Sequence, residues 1–410
     1  MTNFQETLKK YANLAINVGV NLQENQTLVI RTPIECADFA RLIASEAYDK
    51  GAKNVIVKWD DEKLTLIKYL KAPEETLKEF SKFEAEELTA LAEDGAAVLS
   101  IYASDPEILK PVDPARIAMA NKARSMALKK FREYTMSNTI SWSIVSIPTE
   151  GWAKKVFPDL PIEEAMIKLW ENIFKIVRVD EDDPVEAWHN HLKNLKEKMD
   201  FLNKKKFKKL YYRSTITDLQ IELPKNALWC GGSECNSKGI PFVANMPTEE
   251  VFTLPLKTGV NGTVASTKPL NYGGNLINKF TITFKDGKVV DFTAEEGYDT
   301  LKELLNTDEG SSYLGEVALV PYNSPISNSH VIFYNTLFDE NASCHLAFGN
   351  AYPNCLENGD KLSEEEFKEA GGNTSLTHVD FMIGSRDLNI LGECEDGEKV
   401  PIFKNGNWAF

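Results

Sequence analysis

Histidine is scarce in this chain, cysteine is sparse and unpaired, and positive charge is in deficit. Each shortage removes a class of function. The six cysteines (Cys36, Cys230, Cys235, Cys344, Cys355 and Cys394) include no CxxC pair. That is neither a disulfide framework nor a zinc-ribbon spacing, so they are read as reduced thiols, with Cys344 pointing into the core rather than joining its neighbour His345 as a ligand. There are 46 basic against 61 acidic residues, a net charge of −15. Phosphate binding needs local positive potential, so neither nucleic acid nor an anionic membrane surface is an expected partner. The first residues, MTNFQETLKKYANLAINVGV, lack a basic region followed by an apolar run and a cleavage site, and no window approaches the length of a membrane-spanning helix. The expected location is the cytoplasm. No GxGxxG or GxxxxGK[ST] loop follows a strand-like segment, which weakens a nucleotide-binding reading. Absence of a GxSxG elbow, of HExxH and of a convincing Cys/His pairing removes the main hydrolase designs built on them.

What is present reads as two domains, since 410 residues exceed what one core usually organises. Over residues 1–208, helical apolar spacing from Phe4 to about Val20 alternates with short apolar runs at 27–31, 54–59, 96–101 and 141–147. Helical patterns fill 36–50, the 60s to early 90s, and a long 114–134. Alternation of this kind predicts an α/β domain on a doubly wound, mostly parallel sheet. A helix over 185–206, entered at Asp183-Pro184, carries the basic run 204–209 near its end, where cations complement the helix dipole; the boundary is placed there. His189 and His191 lie two apart on this helix and cannot face one another, so they are poor joint ligands. From 209 to 410 the pattern changes to strands at 211–215, 218–223 and 263–267, and a hairpin 279–284/288–293 closed by Asp286-Gly287. A helix over 297–305 follows, and two last strands meet at Asn405-Gly406. This predicts an α+β catalytic domain with a largely antiparallel sheet.

Two of the five histidines fall between Asp339 and Gly384. His378 and Asp380 stand at i and i+2 in the alternating segment THVDFMI, so as a strand they share one face, with Val379 on the other. His345 follows Glu340 and Asn341 and precedes an apolar run. A lone histidine beside apolar residues is more often a hydrogen-bonded core residue than a ligand, but scarcity beside acidic groups favours the ligand reading. Glu316 is the only charge in LGEVALV and needs a partner if buried; a salt bridge to Arg or Lys and metal ligation explain it equally well. Glu249 and Glu250 follow Pro247 and precede a strand-like run. Glu250, Glu316, Glu340, His345, His378 and Asp380 together form an oxygen-rich set with two imidazoles. Such donors suit Zn, Co or Mn better than Ca or Fe–S. With one carboxylate bridging, they would supply two ions about 3.5–4 Å apart, a hydrolytic arrangement. A phosphoester hydrolase and a non-catalytic peptide-binding protein with a structural metal are the alternatives.

The segments PTEEVFT, GEVALV, DENASCHLAFG followed by NAYP, and NTSLTHVDFMIG, with RTPIECADFARLI near the start, resemble the aminopeptidase T/aminopeptidase S family of dinuclear metallo-aminopeptidases. The resemblance extends over essentially the whole chain. It implies a cytoplasmic exopeptidase that removes amino-terminal residues from short peptides with two divalent ions (Zn, Co, Mn or Mg). It also implies a homodimer whose sites open into an enclosed cavity. Glu250, Glu316, His345, His378 and Asp380 correspond to metal ligands, with Glu340 a further candidate. Tyr352, in the NAYP turn, corresponds either to a hydrogen-bond donor for the tetrahedral oxyanion or to a packed turn aromatic. For the general base, Glu249 comes first; if it lies on the surface, Glu316 serves as both ligand and base.

Overall fold

A computed structural model describes residues 4–272 and 275–410. The chain packs as two compact units: one holds residues up to His191 together with Ser233–Pro247, the other Leu192–Gly232 together with Thr248–Phe410. These units do not coincide with a single boundary at 208/209. The chain changes unit within the helix Pro184–Lys205, and a later segment returns to the first unit.

The first unit is built on four parallel strands in the order Asn54–Asp60, Thr27–Pro33, Ala97–Ile101, Trp142–Val145. Leu28, Val29 and Ile30 are all buried, as are Ala97, Val98 and Leu99. Continuous apolar runs of this kind mark strands covered on both faces, hence the parallel sheet. Helix Phe4–Leu14 buries Leu8, Tyr11, Ala12 and Leu14, and helix Ala37–Asp49 buries Phe39, Ala40, Ile43 and Ala47. The returning segment runs alongside the edge strand: Ile144 N–H donates to Ala244 O and Met246 N–H to Ile144 O. The helical stretch expected from the 60s to the early 90s is segmented, and the long helix expected over 114–134 is broken. The stretch from the 60s to the 90s is three helices, Glu62–Lys71, Glu74–Leu77 and Lys82–Glu93; at the first break Pro73 forces Ala72 out of helical backbone (ψ 150), and the last helix starts from a Ser81 cap. The 114–134 stretch is Pro114–Ala127 and Lys129–Met136, parted at Leu128.

The second unit holds two antiparallel sheets that share one core. Nine strands among the described residues form the larger sheet, which contains the predicted hairpin as Asn275–Lys285 and Lys288–Glu296. Its turn takes positive φ at both Asp286 (49°) and Gly287 (82°). Gly287 is the one residue that fits there, since a Cβ would fall 1.8 Å from Lys257 O. The smaller sheet runs His378–Met382, His345–Gly349, Leu314–Leu319, Val251–Thr253, Cys230–Gly231. Tyr212, Ile221, Phe280, Ile282 and Ile390 from the larger sheet meet Val251, Val317, Leu319, Leu346, Phe348 and Phe381 from the smaller one. Alternation along each strand leaves the opposite face of the smaller sheet for other side chains. No helix among the described residues is long and apolar enough to cross a membrane.

Candidate metal centre

The face of the smaller sheet turned away from the core carries the acidic and imidazole side chains. Ala347 lies opposite Glu316 on one neighbouring strand and opposite Asp380 on the other, so these three side chains form a row across the sheet. His345, two residues earlier, is paired with Ala318 and Met382, and His378 is paired with Gly349. Val317, Leu346, Phe348 and Phe381 point to the core, with Val379 packed against it. The face assignment expected for His378, Val379 and Asp380 therefore holds. So does that of Cys344, buried in the core with its Sγ 3.3 Å from Val320 O.

Glu316 reaches this face through a bulge. The register steps from Leu314↔Phe348 to Glu316↔Ala347, inserting Gly315 as an extra residue. Without the bulge Leu314 and Glu316 would share a face; with it, Leu314 enters the core and Glu316 leaves it.

The carboxylates and rings converge. His345 Nε2 is 3.2 Å from Glu250 Oε2 and 3.3 Å from Glu316 Oε1. His378 Nε2 is 3.6 Å from Glu316 Oε2 and 3.4 Å from Asp380 Oδ1. Two triads result, Glu250–Glu316–His345 and Glu316–His378–Asp380, each with donor atoms within 4.8 Å of one another and with Glu316 in both. Glu316 forms its ion pairs with the two imidazoles and none with Lys or Arg among the described residues. Glu340, on the single turn Glu340–Ala342, stands outside both triads. Its carboxyl is nevertheless pushed well above the usual range, by burial first and then by the charges of Asp380 and Glu250.

The donor set fits a cation. Ring nitrogen Nδ1 of His345 faces Ser343 O at 3.2 Å, and that of His378 faces Asn350 O at 2.7 Å. A carbonyl only accepts, so each Nδ1 carries the hydrogen and, in the neutral ring, each Nε2 presents a lone pair to the carboxylates. Acceptor then faces acceptor. Glu250 Oε2 and Asp380 Oδ1 are buried and make no hydrogen bond, despite the ring nitrogens beside them. Such groups require a positive charge between them. The same carboxylates favour protonated rings. Burial opposes this, yet the Asp380 and Glu316 carboxylates lift His378 to about 10, and Glu250 and Glu316 raise His345 well above its usual value.

Around this cluster, Glu249 is buried at 4 % exposure, so the surface alternative for it is excluded. Its backbone N–H donates to Asn341 Oδ1 at 2.7 Å. Tyr352 sets its ring 4.8 Å from the His378 ring and 6.1 Å from that of Phe252. Burial, followed by the nearby Glu316 and Asp380 charges, holds its phenol well above the usual value, so it stays a donor at neutral pH. His191 lies by Arg178 and Trp188 and takes no part in any cluster of candidate ligands among the described residues. A third cluster, Cys394, Asp396 and Glu398, has two of its three members exposed, and Glu398 is paired with Lys205 at 3.2 Å. Sequence reasoning missed Asn341 and Ala347. For Ala347 the available signal was a small residue in the middle of a strand of larger ones; the residues around Asn341 offered none.

Comparison with known proteins agrees with this chemistry. The family model described as thermophilic metalloprotease (M29) matches residues 4–408. Aminopeptidase 2 of Geobacillus stearothermophilus is 55% identical over 410 residues, covering 100% of this chain and 99% of that protein. Aminopeptidase AmpS of Bacillus subtilis is 53% identical, with both chains covered fully. The solved structure of wild-type AmpT from Thermus thermophilus superposes with a TM-score of 0.94 at 40% identity, covering 99% of this chain and 100% of that one.

Proposed function

Given that the chain belongs to the M29 metallopeptidase family and is a metallo-aminopeptidase, we propose that it hydrolyses the first peptide bond of peptides at a centre where Glu250, Glu316, His345, His378 and Asp380 would hold two divalent ions, with Glu316 common to both ligand groups. The observation that carries this reading is the division of one carboxylate between two rings, Oε1 toward His345 and Oε2 toward His378. Glu250 and His345 complete one ligand group, His378 and Asp380 the other, and Glu340 stands ready to join them. Ions held there would supply a Lewis acid for the scissile carbonyl and would lower the pKa of water at the site. Imidazole donors favour Zn, Co or Mn over Mg.

The protein's own groups then perform the proton transfers and orientation. Glu249 accepts the proton of the attacking water and returns it to the leaving amine. Tyr352 donates its phenolic hydrogen to the oxyanion that develops on the carbonyl oxygen. An acidic side chain of the cluster pairs with the substrate α-ammonium, which confines attack to the amino-terminal bond. The protein is proposed to act in the cytoplasm as a homodimer. Helix Glu62–Lys71 buries no residue and leaves Leu64, Ile67 and Leu70 exposed, in keeping with a second copy.

Metal-stripped protein titrated with Zn²⁺ or Co²⁺ tests the centre. Two ions per chain are expected, with restored cleavage of an amino-acid p-nitroanilide and none of p-nitrophenyl phosphate; Glu316→Gln should weaken both ions. One tightly held ion per chain, unaffected by Glu316→Gln, would overturn the proposal.

A further inference from the structure

Asn341 is completely buried, and its amide is used in both directions. Oδ1 accepts from the backbone N–H of Glu249 at 2.7 Å, across 92 residues of sequence. Nδ2 donates to Leu337 O at 3.1 Å and to Glu340 Oε1 at 3.4 Å. One side chain thus joins the irregular segment that carries Glu249 and Glu250 to the turn that carries Glu340. The other ligands are fixed differently. Glu316, His345, His378 and Asp380 stand on paired strands, where the ladder sets their spacing. Glu250 directly precedes the strand Val251–Thr253, whose ladder to its neighbour begins at Val251↔Leu319. Glu340 lies on a single turn outside any sheet. Asn341 thus bonds the Glu340 carboxylate directly and anchors the backbone one residue before Glu250, the two ligand positions least held by a ladder.

We infer that Asn341 is a positioning residue that selectively builds one of the two ion sites, that of Glu250, Glu316 and His345. This rests on the two-ion reading given above. The selectivity follows from geometry, because Asn341 fixes the backbone of Glu249, directly before Glu250, whereas none of its hydrogen bonds reaches His378 or Asp380, whose ring and carboxylate are placed by Asn350 O and by the strand. Groups that orient ligands from behind typically change metal affinity 10- to 100-fold when removed. Loss of Asn341 should act on one ion with that magnitude.

The test titrates metal-stripped protein with Co²⁺, following its visible absorption and the heat of binding, with the melting temperature of the metal-free protein recorded alongside. In His378→Ala the surviving binding step belongs to the Glu250–Glu316–His345 triad, which identifies that step in the unsubstituted protein. Asn341→Ala should weaken this step 10- to 100-fold and leave the other within about twofold. Asn341→Ser, which retains a polar group and leaves a smaller void, should do the same and serves if the alanine variant does not fold. Leu304→Ala, in the core away from the centre, should lower the melting temperature without separating the two steps. Equal weakening of both steps in the Asn341 variants, no weakening of either, or the same selective loss in Leu304→Ala overturns the inference while leaving the two-ion reading in place. A single Co²⁺ per chain in the unsubstituted protein overturns both.

Discussion

Tyr352 is the residue at which position and protonation agree most closely with a catalytic task. Its ring rests against His378, and its phenol is kept protonated by burial among carboxylates. A donor aimed at developing negative charge contributes mainly to the transition state. Tyr352→Phe is therefore expected to lower kcat by about 10²–10³-fold, the range for loss of one such donor, with KM and bound metal nearly unchanged. Steady-state kinetics with metal analysis of the same sample check this, and a fall in metal content would assign Tyr352 to ligand support instead. The identity of such a residue could be read from the NAYP segment, but its contact with His378 could not, because 26 residues separate them in the chain and only pairing of the His345 strand with the His378 strand brings them together.

Strands decide which side chains meet. His378→Ala and Asp380→Ala should behave alike although they differ chemically, since each removes a donor from the same triad on the same face. Metal occupancy should fall and turnover drop by orders of magnitude in both. Val379→Ala, between them, faces the core and is only half-buried, so it should cost about 1–2 kcal/mol of stability with full metal content. Retention of two ions and full turnover by the His378 and Asp380 variants would refute the face assignment. The bulge at Gly315 supplies a second prediction at this scale. A Cβ there would lie 2.3 Å from Asn350 O, the carbonyl that accepts from His378 Nδ1. Gly315→Ala should destabilise the protein by about 1–3 kcal/mol, as overpacking does, and should also weaken the ion held by His378. Thermal melting and metal titration together read both effects; a purely structural Gly315 would give the first without the second.

For the whole molecule, the core of the second unit holds 33 buried residues among those described, which need no ion to pack, from Leu195 on its helix to Phe403 on its last hairpin. Chelation with EDTA is accordingly expected to abolish peptidase activity while far-ultraviolet circular dichroism stays close to that of the loaded protein. The melting temperature should fall only by the lost binding contribution. Cooperative unfolding on adding EDTA would instead mark the ions as structural.

Much of this was legible in the residue order. Alternating apolar runs and helical spacing fixed the α/β and antiparallel character, because burial of one face or both leaves its period in the chain. The Asp286-Gly287 turn, the shared face of His378 and Asp380, and the acidic company of two rare histidines were equally local. Other features depended on residues far apart. A single charge in LGEVALV shows that Glu316 needs a partner, yet only the bulge at Gly315 and the pairing to Ala347 turn its two oxygens toward two different rings. Nothing near Asn341 in sequence announces that its amide will hold the backbone of Glu249. Local periodicity records which face of an element is covered, whereas the partner that covers it is set by register and chain return, and these exist only in the folded protein.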